Sequence, residues 1–472
     1  MTAIAGIALP AKKRTVNKML DKMTYRGPDG RVVIQKKGVT LGMDWSTTHT
    51  PKITSMIQEG MVADKIDDGH FAQAQAENGT ITLTRDPLGV APLYYGFTKD
   101  GALCFASEVK GLTNLTQDIH ELAPGTKWVN GKTVPYFRLK KAKPLGTSSR
   151  ELAAELRLRL EKTVEQSFQK CSECGSWLSG GLDSSTMAAL ARPHARVLHT
   201  FAAGFPGASD LHYARIVADH IGSQHHELLV NIDELLRALP DVIFHLESFD
   251  ALLVRSSMMN YLVAKLASDF VPAVFSGEGG DELFAGYNYL KSINPDDLSD
   301  ELVDIIARLH NAALQRVDRC AGAHGTVAFV GFLDPGVVDL ALQIPNKYKL
   351  HNGVEKWILR QAVADLLPPD VLNREKAKFW EGAGVTDTLD QYANQHISDK
   401  EFTRQRILPN GWKLNSKEEY FYYKIFKEHF GEMKDLGWMG RTKGAPGQEI
   451  KKLLTEPVAY PVLTRIMDDN IF

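Results

Sequence analysis

Strand-like runs and helical segments alternate through the middle of this chain, and this alternation most constrains its fold. The predicted order is strand Ser176–Leu178, helix Ser184–Ala191, strand Val197–Ala203, helix Leu211–His220, strand His226–Val230 and, further on, strand Ala273–Phe275. An amphipathic helix, Arg150–Phe168, precedes them, with Ser148 or Ser149 as its candidate N-cap. Strands separated by helices predict a parallel, doubly wound sheet, so the expected fold class is α/β.

The N-terminal part has a different pattern. Its strand-like runs include Val32–Gln35, Thr80–Thr84 and Leu103–Ala106. A stretch that is first basic and then rich in Pro, Gly and Ser, Lys140–Ser149, predicts a linker. We therefore expect two domains, residues 1–142 and residues 143–472, of which the second becomes mostly helical after residue 295.

Composition narrows the functional classes. The 472 residues are 44% hydrophobic and 24% charged, which is ordinary for a globular protein. The formal charge of −2 argues against a dedicated nucleic-acid binder. No apolar run approaches the ~20 residues of a membrane span, so we expect a cytoplasmic protein without membrane contact. The four cysteines, which include Cys171 and Cys174, are expected to be ordinary thiols.

A glycine-rich loop follows the first parallel strand and opens a helix. It reads Ser179-Gly180-Gly181-Leu182-Asp183-Ser184-Ser185. Glycines let backbone N–H groups approach an anion closely, and the positive end of the following helix points at that anion. Asp183 is a candidate ligand for the magnesium that accompanies a phosphate chain. The loop is similar to the pyrophosphate loop of enzymes that cleave ATP between its α- and β-phosphates. A simple Gly/Ser helix cap is the alternative.

A second loop, Phe275-Ser276-Gly277-Glu278-Gly279-Gly280-Asp281-Glu282, also follows a strand and presents glycines and acids. Ligands of parallel sheets bind at the carboxyl ends of the strands. We therefore expect the two loops to share one site for a triphosphate and magnesium, with Asp183 and Asp281 holding the metal from opposite sides. The alternative is a set of solvated loop charges.

Both loops resemble those of glutamine-dependent asparagine synthetases. The other segments that match this family are Arg26-Gly27-Pro28-Asp29, Arg85-Asp86, Pro92–Tyr95, Ala106-Ser107-Glu108, Thr200–Phe205, His245–Asp250, Arg255, Glu355-Lys356, Leu359-Arg360 and Arg374–Phe379. The resemblance implies a truncated N-terminal αββα sandwich of the Ntn-hydrolase type. It also implies a C-terminal domain like the adenine nucleotide alpha hydrolases, with ATP and Mg²⁺ as its cofactors.

The resemblance also assigns roles to individual residues. Pyrophosphate and magnesium would be bound by Ser179, Gly180, Gly181, Asp183 and Ser184, the AMP pocket would be lined by Ala203, Ser276 and Gly277, and Asp281 would be the second magnesium ligand. Lys376 would neutralise the departing pyrophosphate. Glu278 would be the general base that takes a proton from the attacking amine. Alternatively, Lys376 is a surface lysine and Glu278 only structures its loop.

Arg255 is a candidate clamp for the substrate carboxylate, because a guanidinium can bind a carboxylate through two parallel hydrogen bonds. The alternative is a buried salt bridge to Asp250 or Glu247. We expect the paired His225 and His226 to be structural, and the aromatic run Tyr420–Tyr423 to belong to the core.

The N-terminal part departs from the family pattern. Position 2 is Thr2, where the glutaminase uses Cys, so thiol chemistry is excluded there. The Asn-Gly-Glu segment that binds glutamine is missing, and the region from Val32 to Thr80 is shorter than in the family. These losses predict a vestigial glutaminase, retained for packing or as a cap, in which Arg26 and Asp29 are structural.

A second departure lies beside the expected ligase site. The family sequence Val-Glu-x-Arg-x-Pro-Phe-Leu-Asp is here Thr326-Val327-Ala328-Phe329-Val330-Gly331-Phe332-Leu333-Asp334. Loss of the Glu–Arg pair weakens the case for aspartate as substrate and favours a less polar acid or a larger amine. The β-lactam and carbapenam synthetases, which are related, carry Tyr at the position of Glu278, so Glu278 favours an external amine.

The sequence thus predicts an ATP-dependent ligase that adenylates a carboxylate and transfers ammonia or another small amine, without glutaminase activity. Two alternatives stay open. One is intramolecular amide or lactam formation in natural-product biosynthesis, and the other is a catalytically silent scaffold. A separate protein that supplies ammonia, and a homodimer, are left open as well.

Overall fold

A computed structural model describes residues 1–46, 55–62, 69–374, 382–383 and 388–442, with the backbone alone for residues 61 and 62. Lys376, the expected pyrophosphate lysine, lies outside the described residues. Residues 1–441 group into one compact unit. No helix in the described part of the chain has both the length and the hydropathy needed to cross a bilayer.

Antiparallel strands build the N-terminal part. They are β1 Thr2–Ile7, β2 Gly30–Lys36, β3 Val39–Trp45, β4 Met56–Val62, β5 Gly69–Glu77, β6 Thr80–Arg85, β7 Tyr94–Phe97, β8 Leu103–Ala106, β9 Ile119–Glu121, β10 Thr126–Val129 and β11 Lys132–Pro135. Within the described residues they form two sheets, ordered β2-β3-β1-β8-β7-β9 and β11-β10-β6-β5-β4. Buried side chains such as Ile4, Leu41, Leu83 and Phe105 pack between these sheets.

Parallel strands build the sheet of the C-terminal part. They are β12 Cys174–Trp177, β13 His199–Gly204, β14 Gln224–Leu229, β15 Ala273–Phe275 and β16 Val327–Phe329, in the order β14-β13-β12-β15-β16. Every neighbouring pair is parallel, which confirms the predicted α/β fold class. Strand β16 was not predicted from the sequence.

Helices cover the sheets and fill the C-terminal part. They are α1 Lys13–Asp21, α2 Ser149–Lys170, α3 Leu182–Ala191, α4 Ser209–Ile221, α5 Ile232–Leu246, α6 Ala251–Ser268, α7 Gly280–Leu283, α8 Leu298–Ala307, α9 Ala313–Gly322, α10 Pro335–Gln343, α11 Asn346–Lys349, α12 Trp357–Ala362, α13 Pro369–Leu372, α14 Thr388–His396, α15 Asp399–Gln405 and α16 Lys417–Phe430. Helix α1 packs Val16 and Leu20 against Gly42 of the first sheet.

The long helix α2 begins at the predicted place. Ser148 is its N-cap, and a capping box joins Ser148 to Glu151. Leu152, Leu156 and Leu160 are buried along one stripe, as their spacing of four predicts. The aromatic run also packs as expected, since Tyr420 and Tyr422 of α16 are buried.

Candidate active site

The loop between β12 and α3 is shaped by close backbone packing. Gly180 has a φ of +67°, and a Cβ there would lie 2.4 Å from the backbone of Tyr213. Only glycine tolerates both conditions without strain. The Ser179 and Ser184 hydroxyls lie 3.0 Å apart, and Ser184 Oγ accepts from the Ser179 N–H at 3.2 Å. The loop therefore places the Ser179 and Ser184 hydroxyls at the start of α3, where the positive end of the helix favours an anion.

The loop after β15 lies directly against the first loop. A Cβ on Gly277 would be 2.7 Å from the backbone N of Ser184, and one on Gly280 would be 2.4 Å from the carboxyl carbon of Asp183. Both strands end at the same edge of the parallel sheet. The expected meeting of the two loops is therefore observed, and it depends on glycines that leave room for Asp183.

A buried lysine joins the two expected magnesium ligands. Lys356 Nζ lies 2.5 Å from Asp183 Oδ2 and 2.5 Å from Asp281 Oδ1. The Lys356 side chain is 3% exposed, and its backbone lies in the left-handed region at φ +55°. A Cβ on Gly286 would collide with both Asp281 and Lys356, so this glycine makes space for the ion pair. Lys356 matches the family pattern in sequence, but its role could not be predicted from that match.

Glu278, the expected general base, is also paired. Its Oε1 accepts a hydrogen bond from Nη2 of Arg316 on α9. Burial alone would lower the pKa of Arg316, but Glu278 holds it above its usual value. Arg316 was missed from the sequence, where it is one of several charged residues on an amphipathic helix.

A third acid adds to the negative charge of this loop. Glu282 is buried and accepts a hydrogen bond from the Tyr287 hydroxyl. Burial, with Asp281 and then Glu278 nearby, raises the pKa of Glu282 to about 7. The second loop is therefore strongly acidic, and Lys356 and Arg316 supply cations on two of its sides.

Arg374 ties the first loop to α4. Its Nη1 donates to the Ser179 carbonyl at 3.1 Å and its Nη2 to Asp210 Oδ1 at 2.6 Å. Its guanidinium also lies over the Tyr213 ring, 4.2 Å from the centroid. Arg374 thus stabilises the loop that was expected to bind pyrophosphate.

The residues expected to line the AMP pocket lie on the same edge. Ala203 lies near the end of β13, and Ser276 follows β15 directly. Both are buried, and the Ser276 N–H donates to the Phe329 carbonyl of β16 at 2.9 Å. The aromatic ring of Phe329 lies 5.7 Å from that of Phe275. The segment that departs from the family pattern is therefore part of the sheet beside the site.

Arg255 already has a carboxylate partner. Its Nε donates to Glu418 Oε1 at 3.1 Å and its Nη2 donates to Glu418 Oε2. Glu418 is 1% exposed and also accepts from the Tyr422 hydroxyl at 2.7 Å. Neither Asp250 nor Glu247, the alternatives weighed from the sequence, is this partner. Asp250 instead caps α6, accepting from the Leu253 N–H.

The paired histidines hydrogen-bond to neighbours within the parallel sheet. His225 Nδ1 lies 3.0 Å from Thr200 Oγ1, and His226 Nε2 lies 2.9 Å from His199 Nδ1. Burial lowers the pKa of His225 and of His226. These contacts are with residues of β13, not with either loop of the candidate site.

The donor set fits one metal ion that is shared with a ligand. Among the described residues, no group of three or more His, Cys, Asp or Glu side chains is arranged to hold a metal. Asp183 and Asp281 are two hard oxygen donors that meet at one cation, Lys356. Magnesium is usually held by one or two carboxylates together with substrate phosphates, so this pair suits Mg²⁺ that arrives with a phosphate chain.

Fold and geometry together define a class of protein. It is an α/β protein with a candidate phosphate site at the carboxyl edge of a parallel sheet, where two glycine-rich loops and a buried lysine meet. Its N-terminal part is a pair of antiparallel sheets.

Comparison with known proteins identifies the family. The family model for asparagine synthase matches residues 155–295 and 291–453, and that for a glutamine amidotransferase domain matches residues 47–114. Asparagine synthetase B (glutamine-hydrolyzing) of Escherichia coli is 35% identical over 387 aligned residues, which cover 76% of this chain and 69% of that protein. The chain belongs to the asparagine synthetase family, as its motifs predicted.

Other relatives give the same result. Asparagine synthetase of Gallus gallus is 33% identical over 413 residues, covering 77% of this chain and 73% of that protein. Asparagine synthetase 2 of Lotus japonicus is 33% identical over 392 residues, covering 76% of this chain and 66% of that protein. The chain thus spans about two thirds of the length of these relatives. NMN synthetase of Francisella tularensis aligns with a TM-score of only 0.29 at 11% identity, over 61% of this chain and 97% of that structure, so the fold is assigned from the sheets themselves.

Proposed function

We propose that this protein is an ATP-dependent, AMP-forming ligase that adenylates a carboxylate and transfers ammonia or another small amine to it. The observation that carries the proposal is the meeting of Asp183 and Asp281 around Lys356, beside the loop Ser179–Ser184. Two carboxylates, a buried cation and a glycine-rich anion loop are the parts that a triphosphate with magnesium needs at one point.

The first loop would bind the phosphate chain. The Ser179 and Ser184 hydroxyls would donate to it at the positive end of α3. Mg²⁺, held by Asp183 and Asp281, would supply positive charge to the phosphates. Lys356 would neutralise the negative charge that develops on the departing pyrophosphate, and we assign Lys376 the same task from family resemblance alone.

Glu278 would accept the proton that the attacking amine loses. Because Oε1 accepts from Arg316, the proton would go to Oε2. Arg316 keeps the carboxylate in one orientation, so that the base is in place when the amine attacks. Glu278 therefore favours an external amine over ring closure within one substrate.

We further propose that the N-terminal part, residues 1–142, does not hydrolyse glutamine. Thr2 cannot supply a thiol, and its hydroxyl is buried without a hydrogen-bond partner among the described residues. Arg26 lies beside it, donating to the Thr2 carbonyl and to the carboxylates of Glu59 and Glu108. A cation with this many protein acceptors is poorly placed to bind a free amino acid. Ammonia would then come from solution or from another protein.

The carboxylate substrate is proposed to be less polar than aspartate. The family's Glu–Arg pair is replaced by Val327 and Phe329, and Phe329 packs its ring beside Phe275. An apolar wall at this edge would favour an acid with an apolar side chain. Arg255 remains a candidate for its carboxylate, although two of its nitrogens already donate to Glu418.

The test is pyrophosphate release from ATP and Mg²⁺ with a panel of carboxylic acids, each with ammonium, with glutamine or without an amine. We expect release with one class of acid and ammonium, and none with glutamine as the only nitrogen source. Asp183→Asn should abolish release, whereas Thr2→Ala should not change it. Equal turnover with glutamine, lost in Thr2→Ala, would contradict the proposal for the N-terminal part.

A further inference from the structure

Helix α9 contacts both parts of the molecule within one turn. Arg316 donates to Glu278 in the candidate site. Two residues later, Asp318 accepts two parallel hydrogen bonds from Arg26 of the N-terminal part, from Nη1 at 2.9 Å and from Nη2 at 2.8 Å. Residues two apart on a helix with 3.6 residues per turn point about 200° apart, that is, to nearly opposite faces. The helix therefore lies between Arg26 and Glu278.

Arg26 is a fixed point in this arrangement. Its side chain is fully buried, and Nε and both Nη nitrogens donate. Burial alone would lower its pKa, but Asp318, Glu59 and Glu108 hold that pKa well above its usual value. A cation with this many partners can move only if several hydrogen bonds break together. Whatever Arg26 binds is thus held in one place.

A glycine in helix α9 leaves room for the Arg26 side chain. Gly322 lies in its last turn, and a Cβ there would be 3.0 Å from Arg26 Nη1. Glycine is a poor helix former, so the close approach of Arg26 gives a physical reason for glycine at this position. Arg319 of the same helix pairs with Glu108 of the N-terminal part and with Glu247 of the C-terminal part, at the interface between the two parts.

We propose that the Arg26–Asp318 pair is a positioning contact for the ligase reaction. It fixes the rotation of α9 about its axis and its position along that axis, and thereby holds Arg316 against Glu278. The N-terminal part thus acts on amide formation through Arg26, without supplying ammonia. This inference rests on the function proposed above for Glu278.

The test compares Arg26→Gln and Asp318→Asn with a matched interface variant, Lys110→Gln. Lys110 pairs with Glu108 of its own part and with Glu247 across the same interface, and neither of these acids lies on α9. We expect the first two variants to lower kcat for amide formation by about tenfold or more, since small misplacements of catalytic groups are costly, with KM for ATP little changed. Lys110→Gln should lower thermal stability and leave the kcat of the folded protein unchanged.

A second background shows whether the effect passes through Arg316. In Arg316→Gln, the further change Arg26→Gln should lower kcat no more. An equal loss in both backgrounds would overturn the proposal, as would unchanged kcat in Arg26→Gln. If Arg26→Gln does not fold, Gly322→Ala provides the test, because it keeps every charge and presses a methyl group on Nη1. It should show the same loss of kcat, and a normal kcat would count against the proposal.

The failure of the proposed function would look different. In that case the wild-type protein itself would release no pyrophosphate with any acid. The coupling between Arg26 and Arg316 can still be measured. The effects of Arg26→Gln and Arg316→Gln on the urea midpoint of unfolding should be less than additive. The pair Arg26→Gln and Lys424→Gln, in which Lys424 is a half-exposed residue of α16, should be additive. Additivity in both pairs would overturn the inference.

Discussion

Lys356 and Asp183 are 173 positions apart in the chain, yet the ammonium of one lies 2.5 Å from a carboxylate oxygen of the other. The backbone places Lys356 there, because its N–H donates to the Phe284 carbonyl at the end of α7. Asp281, at the start of the same short helix, completes the contact. Lys356 thus joins the two loops of the site, and we propose that it acts in the reaction as well.

Lys356→Met should lower pyrophosphate release by about 100-fold or more, since it removes the cation that we propose neutralises the phosphate charge. The same change leaves two carboxylates without their shared counter-ion, so thermal stability should also fall. Lys291→Met is the control. Lys291 pairs with Glu355 at 3.1 Å and is partly exposed, so its loss should cost no more than about 0.5 kcal/mol. Full activity in Lys356→Met would exclude a role in the reaction.

Gly277→Ala should push the two loops of the site apart. The added methyl would meet the backbone of Ser184 and Asp183 at 2.7–2.9 Å, where no side-chain rotation can relieve it. We expect a loss of about 1–3 kcal/mol in the free energy of unfolding, with loss of activity. Gly146→Ala is the matched change, because nothing lies within 4 Å of a Cβ there. Unfolding in urea and pyrophosphate release measure both, and equal behaviour of the two variants would contradict the packing described.

Arg255→Met and Glu418→Gln should each destabilise the protein, by about 3 kcal/mol, because each leaves a buried charge unpaired. The double variant should be little worse than either single one. Lys424→Gln on the same helix α16 is the control, as Lys424 and Glu401 form a partly exposed pair worth less than about 1 kcal/mol. Additive losses would show that the pair is not the main partner of either side chain. A raised KM for the acid in Arg255→Met alone would support its role as a clamp.

His245 should make stability depend on pH. Burial, with Lys110 nearby, lowers the pKa of His245 from 6.5 to about 3. Between those pH values the unfolded chain binds a proton that the folded protein does not. Stability from this group is therefore complete above pH 6.5 and is lost as the pH falls towards 3.

The variant His245→Gln should reduce this dependence by up to about 1.4 kcal/mol per pH unit within the same window. Thermal unfolding at a series of pH values between 7 and 4 measures the slope. His220→Gln, at an exposed position on α4, should leave the slope as it is. The idea fails if the two variants have the same slope.

Local sequence patterns predicted much of the fold because they reflect local physics. The spacing of four in α2, the capping serine and the glycine-rich turns after β12 and β15 each depend on neighbours in the chain. The shared edge of the two loops followed from the rule for parallel strands. Strand β16 was not predicted in this way; among the described residues it pairs with β15, which is distant in sequence.

The partners of the site residues could not be predicted, because they are distant in sequence. Arg316 is 38 positions from Glu278, and Glu418 is 163 positions from Arg255. Each is a charged residue on an amphipathic helix, where an exposed face is the usual interpretation. Only the packing of α9 and α16 shows that these charges point inwards. Lys376 and its role remain a prediction.

Glu247 has a left-handed backbone, at φ +57°, and its carboxylate accepts from the N–H groups of Val109 and Lys110 in the N-terminal part. The carboxylate of Glu247, in the C-terminal part, thus caps the turn that begins at Val109 in the N-terminal part. Separating them would expose Glu247, Arg319 and Lys110 together, all now almost fully buried. A chain without residues 1–142 would thus leave Glu247 and Arg319 without their partners in the N-terminal part. The N-terminal part would then be needed for the stability of the C-terminal part, whatever its own chemistry.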